Sequence, residues 1–208
     1  FQAEDGIRDF CLSRGLGDVY KRQFPMSEDG EILWFSPHKR GLIPLDERFK
    51  IPHGLKRVLR KRPFEVKWDS SFREVIEACG ERKETWIDEV IVDSYVQLHE
   101  LGFAHSIECW DSDGLQGGLY GVSLGRAFFG ESMFSRKTDA SKVALVHLVD
   151  WLRKQDYLVL DTQWMTDHLR QFGGWEIPRE EYLTILEEAL AGIYEDLSRR
   201  TQEGQWPL

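Results

Sequence analysis

The architecture is organised by one glycine-rich stretch, which reads Leu115-Gln-Gly-Gly-Leu-Tyr-Gly-Val-Ser-Leu-Gly-Arg-Ala-Phe-Phe-Gly-Glu-Ser-Met-Phe-Ser135. Its aliphatic and aromatic residues predict two strands, and Leu124-Gly125-Arg126 predicts the tight turn between them. Glycine inside a strand marks a bulge or a place where another group approaches the backbone closely. The stretch therefore predicts an antiparallel hairpin with a close approach along its length.

The second predicted strand carries one carboxylate, Glu131, between aromatic and sulfur-containing side chains such as Phe129 and Met133. A carboxylate in an apolar wall costs free energy unless it meets a cation or a hydrogen-bond donor. We therefore expect a pocket here that takes an apolar group and holds a polar group at its edge.

The patterns around the hairpin predict an α+β fold. Further strands are expected at residues 32–35, 64–69, 104–110 and 157–161, and helices at residues 53–62, 70–79, 88–102, 140–154, 164–171 and from 178 onward. In the third of these helices, Val90 and Ile91 are expected to begin the stripe that faces the core. Successive strands joined by short turns pair antiparallel, whereas an intervening helix permits a parallel neighbour. We expect a mixed, largely antiparallel sheet with helices packed against it.

The bulk composition restricts the class of protein. The 208 residues carry a formal net charge of −9, which argues against a general nucleic-acid binder unless a local basic patch overrules the average. The sequence has no run of about 18 apolar residues, which argues against a transmembrane helix. Its cysteines form no CxxC pair, which argues against a disulfide framework and a structural zinc site. His105 and Glu108 fall on opposite faces of a predicted strand, which argues against a shared metal ion. We expect a cytoplasmic protein without a metal or a cofactor.

One segment contrasts with the acidic average. Residues 53–62 interleave Lys56, Arg57, Arg60 and Lys61 with apolar residues at helical spacing, and no acid offsets these bases. The segment is interpreted in two ways, as a site for a phosphate-bearing ligand or as an exposed helix whose charges are met by acids elsewhere in the fold.

Two further positions have alternative interpretations. Asp161 ends an apolar strand, where carboxylates often carry chemistry in α/β sheets, but it could equally cap the helix that follows. Trp34 and Phe35 are adjacent in a short strand, and core packing is the default for both. Because neighbours in a strand point to opposite faces, one of them is expected to line a surface or a groove.

Eight short runs then point to a family. They are Leu33-Trp-Phe-Ser-Pro37, Trp86-Ile87, Ala104-His-Ser-Ile-Glu108, Gly117-Gly-Leu-Tyr-Gly121, Gly130-Glu-Ser-Met-Phe-Ser135, Ala140-Ser-Lys142, Leu160-Asp-Thr-Gln163 and His168-Leu169. In this order and spacing, over residues 24–190, the chain resembles the leucyl/phenylalanyl-tRNA–protein transferases. The resemblance implies a cytoplasmic bacterial enzyme that moves leucine or phenylalanine, and less readily methionine, from the acceptor end of its tRNA to the N-terminal arginine or lysine of a protein. The modified protein is thereby marked for degradation.

The resemblance also implies a domain organisation. Residues 24–52 would be the remnant of a small N-terminal domain, residues 53–197 an N-acetyltransferase-like catalytic domain, and residues 198–208 a polar tail. Residues 1–23 lack periodicity and resemble a translated sequencing adapter, so we expect no functional residue among them.

By similarity, the implied site residues fall into three groups. The aminoacyl pocket and the terminal adenosine would be contacted by Phe129, Gly130, Glu131, Ser132, Met133, Trp86 and, in a related aromatic motif, Trp34. Glu131 would also be catalytic, by helping to position the aminoacyl ester or its amine. The acceptor-end phosphates would be held by Lys56, Arg57, Arg60 and Lys61. Asp161 and Gln163 would lie beside the acceptor's α-amine, where Asp161 either polarises Gln163 for a proton relay or binds the acceptor's cationic side chain.

Two departures from the family pattern are visible. Met26 stands where the family has a tryptophan after Phe-Pro, and residues 1–23 replace a family segment that carries a tyrosine. The competing hypotheses are an acyl-CoA-dependent N-acetyltransferase, although residues 134–141 lack its pyrophosphate loop, and a non-catalytic tRNA-binding relative.

Overall fold

The computed structural model describes residues 24–28, 31–83 and 85–191. The adapter-like segment 1–23 and the expected polar tail 198–208 lie outside the described residues. The strands are β1 (Phe24–Glu28), β2 (Glu31–Phe35), β3 (Lys39–Leu42), β4 (Glu65–Trp68), β5 (Ala104–Asp111), β6 (Gly114–Leu124), β7 (Ala127–Ser135), β8 (Val159–Gln163) and β9 (Trp175–Pro178). The helices of the described part are α1 (His53–Lys61), α2 (Phe72–Gly80), α3 (Glu89–Glu100), α4 (Ala140–Lys154), α5 (Asp167–Arg170) and α6 (Arg179–Ala189).

Seven of the strands form one mixed sheet in the order β4-β5-β6-β7-β8-β3-β9, and β1 pairs with β2 separately. Within the seven-stranded sheet, β7 and β8 run parallel and the other neighbours run antiparallel. This confirms the predicted mixed, largely antiparallel sheet. The glycine-rich stretch is the predicted hairpin, β6–β7, and its parallel neighbour β8 follows helix α4, an arrangement that the pattern permitted.

Two glycines permit the hairpin. Gly125 takes a left-handed backbone with φ +58° in the turn, a conformation that glycine adopts without a steric penalty. Gly121 lies opposite Gly130, and a Cβ atom at position 121 would collide with the carbonyl oxygen of Phe129. The close approach expected from the sequence is therefore an approach between the two strands of the hairpin.

Helices cover both faces of the sheet. One core includes Ile76 of α2, Ile91 of α3 and Tyr182 of α6, and the other includes Leu55 of α1 and Leu148 of α4. None of the helices in the described part is long and apolar enough to cross a membrane.

Two local predictions are wrong. Val90 was expected to face the core, but 48% of its surface is exposed. The buried stripe is centred on Ile91, Tyr95 and Leu98, and a residue one position earlier is rotated by about 100° away from that stripe. The helix expected over 164–171 is only α5, because Thr166, and not Asp161, caps it by accepting a hydrogen bond from the N–H of Leu169.

Candidate active site

The sheet opens between its two parallel strands. β7 and β8 are paired only from Ala127 opposite Val159 to Phe129 opposite Asp161. The residues that follow in each strand, Gly130 to Met133 in β7 and Thr162 to Trp164 after the paired segment of β8, line a cavity of about 380 Å³. A crevice outside the carboxyl ends of parallel strands is a common ligand site in α/β sheets.

The cavity has an apolar lobe and a polar wall. The apolar lobe is formed by Leu119, Met133, Leu145, Leu148, Leu160 and Leu169. The polar wall is formed by Arg82, Tyr120, Glu131, Ser132, Thr162 and Gln163, and the rim includes Phe24, Met26, Trp86 and Trp164. This cavity can hold an apolar side chain in its interior with polar atoms along one side.

A β-bulge aims Glu131 at the polar wall. In the β6–β7 ladder Tyr120 lies opposite Ser132 and Gly121 lies opposite Gly130, so Glu131 is the extra residue. The bulge lets two consecutive residues, Glu131 and Ser132, face the same side of the sheet. Glu131 accepts a hydrogen bond from the Tyr95 hydroxyl, and the side chain of Ser132 is hydrogen-bonded to the Cys79 thiol. Tyr95 and Cys79 belong to the core beneath α2 and α3.

The setting of Glu131 changes its acidity. The side chain is half-buried in the cavity wall, and desolvation raises its pKa to about 8. The hydrogen bond from Tyr95 opposes this rise, the negative charge of Asp161 adds to it, and the positive charge of Arg40 opposes it. Glu131 therefore changes its charge near neutral pH, which is the property that a general acid or base requires.

Asp161 lies behind the cavity wall and does not line the cavity. Its side chain is fully buried and forms an ion pair with Arg40, itself only 3% exposed. The Tyr182 hydroxyl donates to Asp161 Oδ2 at 2.6 Å, and the backbone N–H of Gln163 donates to Oδ1 at 2.8 Å. With these donors in place, the carboxylate holds the end of β8 and the backbone of Gln163 in position.

Three polar atoms of the cavity lining lack partners among the described residues: Nε2 of Gln163, the hydroxyl oxygen of Tyr120 and Nε2 of His168. The side chains of Gln163 and Tyr120 are more than nine-tenths buried, whereas His168 is half-buried. Gln163 takes a left-handed backbone with φ +56°, which Asp161 stabilises through its hydrogen bond to the Gln163 N–H. Because an unsatisfied buried polar group costs about 1–3 kcal/mol, these atoms indicate where a polar ligand group would bind.

The structure brings most of the predicted site residues together. Trp86, Gly130, Glu131, Ser132, Met133 and Gln163 all line the cavity. Phe129 does not, because it faces the core on the other side of β7 from Phe128, and Trp34 is half-buried in the β1–β2 hairpin outside the lining. The sequence pattern gave no indication of Arg40 or Tyr182, whose roles depend on contacts between distant parts of the chain.

The positive charges of the basic helix α1 are not neutralised by ion pairs with acids in the described part of the chain. Lys56, Arg57, Arg60 and Lys61 are exposed, and none forms an ion pair with a described acid. Leu55, buried on the opposite side of α1, belongs to the same core as α4. The described contacts therefore do not show the acids that the second interpretation of the basic segment requires, and the binding of phosphates stays a prediction.

Comparison with known proteins gives a consistent result. A family model described as leucyl/phenylalanyl-tRNA protein transferase matches residues 42–187. A protein of Akkermansia muciniphila with the name leucyl/phenylalanyl-tRNA–protein transferase is 60% identical over 172 residues, which cover 80% of this chain and 89% of that protein. A protein of Herpetosiphon aurantiacus with the same name is 52% identical over 167 residues, covering 80% of this chain and 87% of that protein. Among solved structures, L-PGS from Bacillus licheniformis is 12% identical with a TM-score of 0.44, covering 84% of this chain and 68% of that chain.

Proposed function

Since this chain belongs to the leucyl/phenylalanyl-tRNA–protein transferase family, it is an aminoacyltransferase, and we propose that the cavity between β7 and β8 is where the aminoacyl end of the tRNA meets the acceptor's amine. The enzyme moves leucine or phenylalanine from aminoacyl-tRNA to a protein N-terminus. The observation that carries this function is the family match over residues 42–187, and it does not favour acetyl transfer from acyl-CoA or a non-catalytic relative.

The apolar lobe is the proposed pocket for the aminoacyl side chain. Leucine and phenylalanine are unbranched at Cβ, and five leucines together with Met133 give the lobe walls without charge. If these walls stand close to the substrate's β-carbon, valine and isoleucine are rejected by steric overlap. Methionine, which is unbranched and flexible, would be accepted less readily.

Trp86 is the proposed stacking surface for the terminal adenosine. It is half-buried at the rim of the cavity, and stacking of a base on an aromatic ring is worth roughly 1–3 kcal/mol. Met26 lines the same cavity where the family has a tryptophan. A methionine thioether still offers apolar contact to a base, but without the area of an indole ring. Trp34, on the neighbouring strand β2, stays a prediction for this site.

The proposed reaction is aminolysis of the ester. The neutral α-amine of the acceptor attacks the ester carbonyl, the new C–N bond forms, the C–O bond to the ribose breaks, and the amine's proton passes finally to the ribose oxygen. Gln163 Nε2, without a partner among the described residues, would orient the reacting groups, and Glu131 would accept a hydrogen bond from the reacting amine or take its proton.

Asp161 is proposed to act through Gln163. Its charge is already neutralised by Arg40, and its oxygens accept hydrogen bonds from Arg40, Tyr182 and Gln163. This arrangement supports the positioning role over direct binding of the acceptor's cationic side chain.

The remaining proposals extend the family resemblance. The acceptor protein is proposed to begin with arginine or lysine, and the modified protein is proposed to be degraded. The enzyme is proposed to work in the cytoplasm. Residues 53–197 are proposed to form an N-acetyltransferase-like domain, an idea supported by one parallel strand pair that separates at its carboxyl ends inside an otherwise antiparallel sheet. Residues 24–52 are proposed to be the remnant of a smaller domain.

A transfer assay tests the proposed function. The protein is incubated with Phe-tRNA and a peptide that begins with arginine, and mass spectrometry is expected to show the phenylalanyl-peptide. Leu-tRNA should react comparably, Met-tRNA more slowly, and Val-tRNA hardly at all. An acetylated peptide of the same sequence is the control, because it has no free amine. Retained tRNA binding without any product would overturn the catalytic assignment.

The cations of α1 give a separate prediction. Changing Lys56 and Lys61 together to glutamine should weaken tRNA binding and make it less salt-dependent. Each lost phosphate contact reduces the magnitude of the negative slope of the logarithm of the binding constant against the logarithm of salt concentration by about 0.7–0.9. Fluorescence anisotropy with labelled tRNA at several salt concentrations measures this slope. Lys154→Gln is the matched control, since Lys154 is also exposed but pairs with Asp150 on α4. An unchanged slope in the double variant would exclude Lys56 and Lys61 from the tRNA interface.

A further inference from the structure

A second cavity lies beside the basic helix. It measures about 460 Å³, which is within the range of about 300–1,000 Å³ found for small-ligand sites. We name it the α1–β4 pocket. Its lining consists of Leu59, Arg62, Pro63, Phe64, Val66, Trp68, Val143 and His147.

The lining of the α1–β4 pocket suits a flat aromatic group. Phe64 and Trp68 are half-buried, and Trp68 is supported by Trp151, whose ring centroid lies 5.1 Å away. Arg62 is exposed and has a left-handed backbone with φ +48° at the end of α1. Aromatic walls with a guanidinium nearby stack on any nucleobase, because every base has a π-face.

The charges around the pocket favour a polyanion over a protein segment. Arg62, like the four cations of α1, forms no ion pair with a described residue. On α4, Lys142, next to the pocket residue Val143, is by contrast paired with Asp139. Five cations without an ion pair to a described residue thus lie within residues 56–62, beside the α1–β4 pocket, in a chain whose net charge is −9.

The sheet register places both cavities at one level. Trp68 lies opposite Ile107, Ile107 opposite Leu119, and Leu119 opposite Met133. Trp68 lines the α1–β4 pocket, whereas Leu119 and Met133 line the active-site cavity. Three strand spacings of about 4.8 Å separate β4 from β7, which amounts to roughly 14 Å. Helix α4 contributes to both cavities, through Val143 to one and Leu145 to the other.

We propose that the α1–β4 pocket is a second RNA-binding site, which takes an unpaired nucleobase of the tRNA acceptor end while the cations of α1 hold the adjacent phosphates. This inference rests on the proposed function, since it requires the aminoacylated end of the same strand to lie in the cavity between β7 and β8. Stacking in the pocket gives affinity with little dependence on base identity, as a tRNA-dependent enzyme that reads the amino acid requires.

The first test compares two substrates. Phe64→Ala is expected to weaken binding of tRNA, measured by fluorescence anisotropy, by about 5- to 150-fold, the loss that corresponds to one stacked base. The efficiency of transfer from Phe-tRNA should fall relative to that from phenylalanyl-adenosine, which has no second base. Trp68→Leu repeats the test at the other ring. Phe49→Ala is the matched control, because Phe49 is also half-buried, stacks on Phe172 and lies outside both cavities.

The second test locates the base. tRNAs that lack the base at one unpaired acceptor-end position at a time are titrated against the wild type and Phe64→Ala. At one position the abasic tRNA should bind the wild type more weakly and show no further loss with the variant. Unchanged tRNA affinity in Phe64→Ala, equal losses for both substrates, or the absence of such a position would overturn the proposal. Failure of the proposed function is distinct, because the wild type would then transfer from neither substrate while tRNA binding is measured separately.

Discussion

Asp161→Asn is expected to lower the free energy of unfolding by about 3–5 kcal/mol and to reduce transfer from aminoacyl-tRNA. Asparagine has the shape of aspartate but no charge, so Arg40 would be left as an uncompensated buried cation. The same change replaces an acceptor oxygen by a donor NH₂ among groups that already donate to it, such as the Tyr182 hydroxyl. Urea unfolding followed by tryptophan fluorescence measures the stability, and steady-state kinetics at a temperature where the variant is folded measure the activity.

Tyr182→Phe is the matched control for this prediction. It removes one hydrogen bond to Asp161 but leaves the ion pair with Arg40, so it should cost only about 1.5–3 kcal/mol. If Asp161 positions Gln163, then Asp161→Asn should lower kcat with both cationic and uncharged acceptor peptides. A variant that kept kcat and raised KM only for peptides beginning with arginine or lysine would instead place the acceptor's side chain on Asp161.

The hairpin and the cavity wall could be predicted from the sequence because the residues that indicate them lie close together in the chain. The glycines and the turn lie within one stretch of about twenty residues, and alternation in that stretch identifies β6 and β7. Glycine also indicated an irregularity. What the pattern did not indicate was that the bulge falls at Glu131, because either side of the Gly121–Gly130 pair could have held the extra residue.

The ion-pair partner of Asp161, Arg40, could not be predicted from the sequence in the same way. Arg40 lies 121 residues earlier, in a strand of only four residues that is placed between β8 and β9 by the sheet itself. A single cation in a short strand has no periodic signature, and its ion pair exists only once β3 has docked. For the same reason the sequence alone does not distinguish a helix-capping Asp161 from one that carries chemistry, although Thr166 supplies the cap. The family resemblance identified Asp161 and Gln163, but not the contacts that hold them.

The bulge and the splayed strands together explain how one acid reaches the cavity. On a regular strand Phe129 and Phe134, five residues apart, would face opposite sides of the sheet, yet both pack in the core beneath α2 and α3. Because Glu131 is an extra residue in the strand, Phe134 faces the same side of the sheet as Phe129. Glu131 itself then lies beside the opening at the end of the β7–β8 ladder. The cost of placing a carboxylate there is reflected in its pKa of about 8.

Glu131→Gln is expected to reduce kcat/KM by roughly 10²–10⁴-fold, the usual contribution of a general acid or base. Glutamine preserves the size of the side chain and its ability to hydrogen-bond to Tyr95, but it cannot take a proton. In the wild type, the acceptor's α-amine, with a pKa of about 8, and Glu131 must both lose a proton. The logarithm of kcat/KM should therefore rise with a slope of two below pH 7.5 in the wild type and a slope of one in the variant.

The stability of the two proteins separates this chemical role from a structural one. Because the pKa of Glu131 is about 8 in the folded protein and near 4.5 in the unfolded chain, the folded state holds the extra proton between these values. The stability due to protonated Glu131 is thus complete below about pH 4.5 and is lost as the pH rises to 8. Glu131→Gln should lack this loss in urea unfolding at pH 5, 6.5 and 8.5. Tyr95→Phe, which removes the hydrogen bond that favours the carboxylate, should shift the wild-type rate profile to higher pH. An unchanged slope in Glu131→Gln, with the stability difference present, would mean that Glu131 titrates in the cavity but takes no part in the reaction.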